Sequence, residues 1–373
     1  MTEYKVINGD SANELKNYPD NYFDSCVTDP PYGIEFLNKN WDNNTGAVEV
    51  WREVYRTLKP GAYLLAFSAP RTYHRLASNL EEIGFEIKDQ IMWLYASGFP
   101  KGQNVGKMIQ KQQGVEQPQS IVPTSEEAKK WAGHGTALKP AHEPIAMARK
   151  PTKLSTPNNV QEHGTGALNI DDCRVPYADD TDKTQTQSNW DRGTAHPSHH
   201  YGMLDGSTPR GKLDEHLYND AREYKPDDGR YPSNVIGEVE GYQKYFFCPK
   251  VGKSERHIGH EDPGRISKVP PPGANSYLSQ GIDVRDKSTK GNNHPTVKPK
   301  ALMAYLVRLV TPKNGTVLDP FGGSGSTGLG CIDEDMNFTG IELDEGYAKI
   351  AQTRLDQYNK DANQTTYKDV FDD

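Results

Sequence analysis

The sequence predicts an α/β fold built on a doubly wound, mostly parallel sheet. Three observations carry this. Strand-like and helix-like segments alternate through the first 95 residues, and the same alternation returns after residue 300. Between them lies a long stretch without periodicity, rich in Asn, Thr, Gly, Asp and His, from about 151 to 245. Alternating strands and helices are the pattern of a parallel sheet with helices on both faces.

Taken in order, YKVING reads as a first strand, SANELKNYP as a short helix, and SCVTDP as a second strand ending in a Pro-Pro turn. AVEVWREVYRTLKPG places Val50, Val54 and Leu58 at helical spacing, with Lys59-Pro60-Gly61 as its stop. AYLLAFS is a buried strand, RTYHRLASNLEEIG a helix ending at Gly84, and FEIKDQIMWLYAS another strand. A weak helical piece, VGKMIQKQ, interrupts a polar stretch over 97–135, and HEPIAMARK (142–150) reads as one more strand. Toward the C-terminus, KYFFCPK and TVLDPF are strands, and PKALMAYLVRLVTPKNG is an amphipathic helix with a Gly stop. GSTGLGCIDEDM is a Gly-opened helix, NFTGIELD a strand and EGYAKIAQTRLDQYN a terminal helix.

A chain of 373 residues exceeds what one compact core needs, which favours a large domain carrying an inserted module. The mean hydropathy is −0.83, with 34 Gly and 26 Pro, as expected of a folded core interrupted by long polar segments. No apolar run approaches the roughly 20 residues that span a bilayer. The opening MTEYKVINGD lacks the basic and apolar stretches of a secretory signal, so no membrane partner and a cytoplasmic location are expected. Cys26, Cys173, Cys248 and Cys331 are scattered with no CxxC pair, so no metal site is expected. His196-Pro197-Ser198-His199-His200 reads as a polar loop.

A net charge of −8 argues at first against nucleic acid, but its distribution is uneven. Residues 101–150 hold 8 basic against 4 acidic side chains and 250–300 hold 10 against 5, while 171–230 hold 8 against 13. Two locally basic segments therefore remain to meet phosphates.

Asp29-Pro30-Pro31-Tyr32 follows the second strand. An exocyclic amine has its lone pair delocalised into the ring and is a poor nucleophile. A carboxylate and a backbone carbonyl that accept its two N–H groups draw the nitrogen toward tetrahedral geometry. Consecutive prolines fix φ and keep the Pro30 carbonyl out of a helical ladder, and an aromatic ring beside them can stack on a base drawn from the duplex. A second motif, Asp319-Pro320-Phe321-Gly322-Gly323-Ser324-Gly325, follows a strand and opens a helix, with Glu342 placed 20 residues after Gly322. Glycines admit a nucleotide to the backbone, and an acid at that spacing binds ribose hydroxyls. The GxxxxGK[ST] pattern of a triphosphate loop is absent from this motif.

Together these segments resemble the DNA amino-methyltransferases of the permuted β-class. TDPPYG (28–33), DPFGGSGSTG (319–328), GIELDEGYAKIA (340–351), HPTVKP (294–299) and VINGDSANEL (6–15) carry the resemblance. It implies a Rossmann-like methyltransferase fold with S-adenosyl-L-methionine as cofactor and double-stranded DNA as partner. Residues 1–150 would form the catalytic half, 151–245 an inserted target-recognition region, and 246–373 the cofactor-binding half. Asp29 and the carbonyl of Pro30, followed by Pro31, would hold the amine while Tyr32 stacks the base. Asp319, Phe321, Gly323 and Gly325 would shape the cofactor pocket, Glu342 its ribose side, Asp10 its adenine side, and Thr296 and Lys298 its methionine end. The family also implies a homodimer and a cognate restriction endonuclease as further partners. Adenine N6 is the favoured target because the tetrapeptide begins with Asp, with cytosine N4 the alternative. RNA or protein amines, a non-catalytic DNA-binding relative and a dehydrogenase are weaker rivals. Cytosine C5 methylation is excluded, since it needs a Cys directly after a proline. Trp190, Tyr201, Tyr218 and Tyr231 are candidate base contacts in the inserted region.

Overall fold

The computed structural model describes residues 2–34, 44–95, 102–114, 125–138, 140–177, 179–184, 229–237, 253–260, 291–292, 294 and 296–371. Among these, eight strands form one sheet: β1 (Tyr4–Asn8), β2 (Phe23–Thr28), β3 (Leu58–Phe67), β4 (Glu86–Leu94), β5 (His142–Arg149), β6 (Val235–Gly237), β7 (Thr316–Asp319) and β8 (Asn337–Glu342). Their spatial order is β1-β8-β7-β2-β3-β5-β4-β6, and every neighbouring pair is parallel except the two made by β5.

Side chains alternate between the two faces with the period of a strand. Cys26, Leu64 and Ala66 point to one core, while Val27, Leu65 and Phe67 point to the other. The first core is closed by α2 (Val48–Thr57) and α3 (Tyr73–Ile83), whose Val50, Trp51, Val54, Leu76 and Leu80 are buried. The second is closed by three helices after residue 300. Counting on from α4 (Val105–Gln112), α5 (Glu126–Lys130), α6 (Thr156–His163) and α7 (Lys253–Arg256), these are α8 (Lys300–Val310), α9 (Ser326–Asp333) and α10 (Glu345–Phe371). The sheet is therefore doubly wound, as the alternation predicts.

Chain winding runs one way from β2 to β3 and the other way from β7 to β8. Because β2 and β7 are neighbours, their carboxyl ends flank a topological switch point, where open α/β sheets leave a crevice.

Three details depart from the sequence reading. Lys59-Pro60-Gly61 does not stop α2; the helix ends at Thr57 and these residues already belong to β3. They form a bulge there, with the register to β2 shifting between Phe23 and Ser25 and Gly61 at φ 77°. The carbonyl exposed by the bulge, that of Pro60, accepts from the side chains of Asn159 and Thr165. Helix α8 ends at Val310, with Thr311 extended ahead of Pro312, so proline and not Gly315 stops it. HEPIAMARK is a strand as expected, but a reversed one. KYFFCPK, Cys248, Trp190, Tyr201, Tyr218 and the His-rich patch lie outside the described residues.

Helices α8 and α9 touch at backbone distance. A Cβ added at Gly330 would stand 2.6 Å from the Ala304 nitrogen. An alanine inside a helix ordinarily stabilises it by about 1 kcal/mol over glycine. Here the expected sign is opposite: Gly330→Ala lowers the unfolding free energy by about 1–3 kcal/mol through overpacking, read as a lower urea midpoint.

Candidate active site

The switch point opens into a cleft of about 690 Å³. Its floor is made by two turns from distant parts of the chain. Asp29-Pro30-Pro31-Tyr32 leaves β2 and Asp319-Pro320-Phe321-Gly322 leaves β7. A buried hydrogen bond ties them: the Thr28 hydroxyl donates to Asp319 Oδ1 at 2.7 Å. The Thr327 hydroxyl donates to Asp319 Oδ2 at 2.6 Å, and the Phe321 N–H to Oδ1 at 3.1 Å. Asp319 therefore lines the cleft as a staple joining β2, the turn and α9. Burial raises its carboxyl to about 6, against the opposing pull of the hydrogen bonds from Thr327, Thr28 and Phe321.

On the Gly-loop side, Gly323 lies at φ 51°, and a Cβ there would meet the His294 ring at 3.0 Å. Its N–H donates to Glu342 Oε2 at 2.8 Å, and the Asp344 N–H donates to Oε1 at 2.8 Å. Glu342, at the end of β8, thus fixes the loop while keeping lone pairs toward the cleft; burial raises its carboxyl despite these two N–H bonds. Phe321 lines the cleft with its ring 5.4 Å from that of Trp51. Asp10 caps α1 (Ser11–Glu14) by accepting from Asn13 N–H, and also faces the cleft. Gly325, expected to shape the pocket, does not line it; at φ 79° it admits Ala351 of α10 to close contact. Below the loop, the fully buried Arg354 donates to the Ser324 carbonyl and, at 3.1 Å, to that of Glu255; burial lowers it to about 10.

The opposite side of the cleft holds a compact charged centre. Lys298 Nζ lies 2.6 Å from Asp29 Oδ2, 3.1 Å from the Tyr32 oxygen and 3.4 Å from Glu143 Oε2. The Tyr32 oxygen is 2.8 Å from Asp29 Oδ1 and 2.9 Å from Glu143 Oε2. Lys298 is buried over the ring of Phe67, 4.9 Å away. Burial by itself would lower its ammonium, but Asp29 and Glu143 outweigh that and hold it above the ordinary value. The Tyr32 hydroxyl is pushed well up by burial and by the same two carboxylates.

Lys298, expected with Thr296 at the methionine end of a cofactor, lines the cleft and meets the carboxylate of the tetrapeptide. Thr296 lines the same cleft, and His294 beside it is lowered to about 4 by burial and by Lys298, Arg256 and Arg354. Glu143 was missed as a site residue. HEPIAMARK reads as a strand from its apolar run, and only its reversed direction puts the first residues, not the last, at the catalytic edge.

These residues suit S-adenosylmethionine. Carboxylates at β8 and α1 match hydroxyl and amino donors, the Gly turn lets a ligand reach the backbone, and the buried Ser326 Oγ on the cleft wall lacks a hydrogen-bond partner among the described residues. The volume is that of a small-molecule site. Cys26 and Cys331 are fully buried, and burial raises both thiols well above the usual range, so neither is built as a nucleophile.

Ionisation of Asp319 is costlier in the folded chain than in the unfolded one. Its stabilising contribution is complete below an unfolded value near 3.8 and is lost as pH rises through about 6. The difference in melting temperature between wild type and Asp319→Asn therefore shifts in favour of the variant between pH 4 and pH 7, measured by calorimetry at each pH.

A family model described as DNA methylase, of N6 and N4 type, matches residues 23–353. The type II methyltransferase M.HindIII of Haemophilus influenzae is 22% identical over 394 residues, covering 94% of this chain and 94% of its own length. The DNA adenine methyltransferase YhdJ of Escherichia coli is 42% identical over 64 residues, 17% of this chain and 22% of YhdJ. Among solved structures, an M1.HpyAVI–SAM complex aligns with a TM-score of 0.43 at 18% identity, covering 94% of this chain and 100% of the other. The cytosine-N4-specific PvuII DNA methyltransferase aligns at 0.46 and 15%, covering 97% and 94%. With the matching model spanning most of the chain, the protein belongs to the N6/N4 DNA methylase family and is an S-adenosylmethionine-dependent DNA methyltransferase.

Proposed function

We propose that the protein methylates the N6 amine of adenine within a specific sequence of double-stranded DNA. The observation that carries this reading is the position of Asp29 at the head of the catalytic turn, in one cleft with the Gly loop and Glu342. The Asp that opens the tetrapeptide and the similarity to YhdJ, named an adenine methyltransferase, favour adenine over cytosine N4.

In this reading Asp29 accepts one N–H of the target amine and the Pro30 carbonyl the other, with Pro31 fixing the turn. This holds the nitrogen lone pair out of the ring plane and aimed along the cleft. The ring of Tyr32 stacks on the extracted base, its orientation set by the bonds of its hydroxyl to Asp29 and Glu143. Glu342 takes the ribose hydroxyls of the cofactor, Asp10 and Phe321 flank its adenine, and Ser326 and Thr296 meet its methionine end. Bound there, S-adenosylmethionine supplies an electrophilic methyl group on a positively charged sulfur. The chain contributes chiefly position: two rigid turns at neighbouring strand ends hold the two reactants in one geometry, and such orientation accounts for several kcal/mol of barrier. The amine sheds a proton as it is methylated, and Asp29 is the nearest carboxylate to accept it.

The reading extends to the inserted region 151–245 as the target-recognition segment, with 1–150 and 246–373 as the catalytic and cofactor-binding halves. In that region Tyr231 is 64% exposed, as a base contact requires before DNA binds. A cytoplasmic location fits the lack of any described helix long and apolar enough to cross a membrane. A homodimer and a cognate restriction endonuclease complete the proposal by family resemblance.

Expression in a methylation-free host, followed by single-molecule sequencing of its DNA, is expected to show N6-methyladenine at one recurrent motif. Asp29→Ala should reduce it at least about a thousandfold, the scale of a lost transition-state contact combined with lost orientation. Methyl groups at cytosine N4 would reverse the choice of base, and unmodified DNA would overturn the DNA reading. Separately, Glu342→Gln should weaken S-adenosylmethionine binding about tenfold by titration calorimetry, as expected for losing a charge-assisted pair of hydrogen bonds.

A further inference from the structure

We infer that Glu143 is a second counter-ion of Lys298 at the reaction centre, beside Asp29, and that the two carboxylates around one ammonium leave a net negative charge there for a cationic sulfonium and the attacking amine. The inference rests on the methyltransferase reading of the cleft and deepens it.

The centre is built from three strand ends and one loop. Asp29 follows β2, Phe67 ends β3, and Lys298 comes from the segment before α8. Glu143 reaches them because β5 runs against its neighbours, pairing Ile145 with Phe67 and Glu143 with Trp93. The start of β5 thereby arrives where the other strands end. A parallel strand carrying the same sequence would leave its glutamate at the far edge of the sheet.

Charge counting then distinguishes two designs. Asp29 with Lys298 alone would be a neutral pair, its carboxylate committed to an ammonium 2.6 Å away. With Glu143 at 3.4 Å from the same ammonium, these three side chains together carry a formal −1. The three side chains are only 18%, 21% and 7% exposed for Asp29, Glu143 and Lys298, so water screens that charge weakly. The Tyr32 hydroxyl stands between both carboxylates, at 2.8 and 2.9 Å. Its single proton serves either one, and turning it to Glu143 opens Asp29 Oδ1 to a substrate N–H. Asp319, which feels the charge of Asp29, and Asp10, Glu342 and Asp344 on the far side also line the cleft, and all four are the same in every variant compared below. They leave the charge differences between those variants unchanged.

A local charge of −1 favours a ligand with a permanent positive charge over the same ligand without it. S-adenosylmethionine has that charge and the product S-adenosylhomocysteine does not. In the reaction, positive charge passes from sulfur to nitrogen as the carbon–sulfur bond breaks and the carbon–nitrogen bond forms. It leaves as a proton, so a negative centre stabilises the charge throughout and loses its hold on the neutral product. Glu143 is a positioning residue in this scheme, acting through Lys298.

The test is titration calorimetry of the full chain with S-adenosylmethionine and with S-adenosylhomocysteine. Glu143→Gln, nearly isosteric, should lose about tenfold in affinity for the sulfonium, with the thioether changed less than about twofold, the scale of one removed charge at partial screening. The double variant Glu143→Gln/Lys298→Met restores the formal −1 and should recover most of the preference, which a purely structural defect would not do. If Glu143→Gln fails to fold, Lys298→Met alone carries the test with the opposite sign: a centre of −2 must prefer the sulfonium more strongly than wild type. Equal losses for both ligands, or an unchanged ratio, overturn the inference and leave the methyltransferase reading standing. Wild-type protein that binds neither ligand overturns both.

Discussion

The pairing of β2 with β7 is the constraint on which this molecule depends. It sets side by side two turns almost three hundred residues apart, one bearing the catalytic carboxylate and the other the Gly loop. The buried carboxylate of Asp319 secures the junction through hydroxyls from Thr28 on one side and Thr327 on the other. Burying a carboxylate is costly, and the raised ionisation of Asp319 reports that cost. What the protein obtains is a rigid relation between two loops that connectivity alone would leave independent.

That junction orders its surroundings in both directions. Toward β8, Glu342 holds the N–H groups of Gly323 and Asp344, and Arg354 holds the loop carbonyl from beneath. Toward β5, Asp29 and Tyr32 of the catalytic turn join Lys298 and Glu143 from two other parts of the chain in one charged centre. The first set shapes a polar cradle for a small molecule; the second sets the charge where bond exchange takes place. Both sit on strand ends and short turns, which move less than long loops, and orientation is the larger part of what such a site contributes.

Much of this was legible in the linear sequence, for identifiable reasons. Turn chemistry and strand exits are local, so the Asp-Pro-Pro-Tyr turn and the Gly loop could be placed at strand ends without knowing which strands are neighbours. The acid at Glu342 was legible because its distance from the Gly loop is set by one helix and one strand. Asp319 and Lys298 were legible as cleft residues but their partners were not: the first spends its oxygens on the hydroxyls of Thr28 and Thr327, the second sits against Asp29. Gly325 was chosen for its loop, yet its missing side chain serves contact with α10. Each of these depends on what packs across from the residue, which spacing does not encode.

The sequence by itself determined the alternation of elements, the two faces of each strand, the catalytic turn, the nucleotide-type loop and hence the chemistry, since all follow from short-range periodicity and residue type. Tertiary structure decided the neighbours. It made β2 and β7 adjacent, turned Lys59-Pro60-Gly61 from a helix stop into a bulge within β3, and reversed β5 so that Glu143 joined the centre. The direction of a strand in a sheet leaves no trace in an apolar run, because backbone hydrogen bonding satisfies either sense. Only the chain's long-range packing chooses between them.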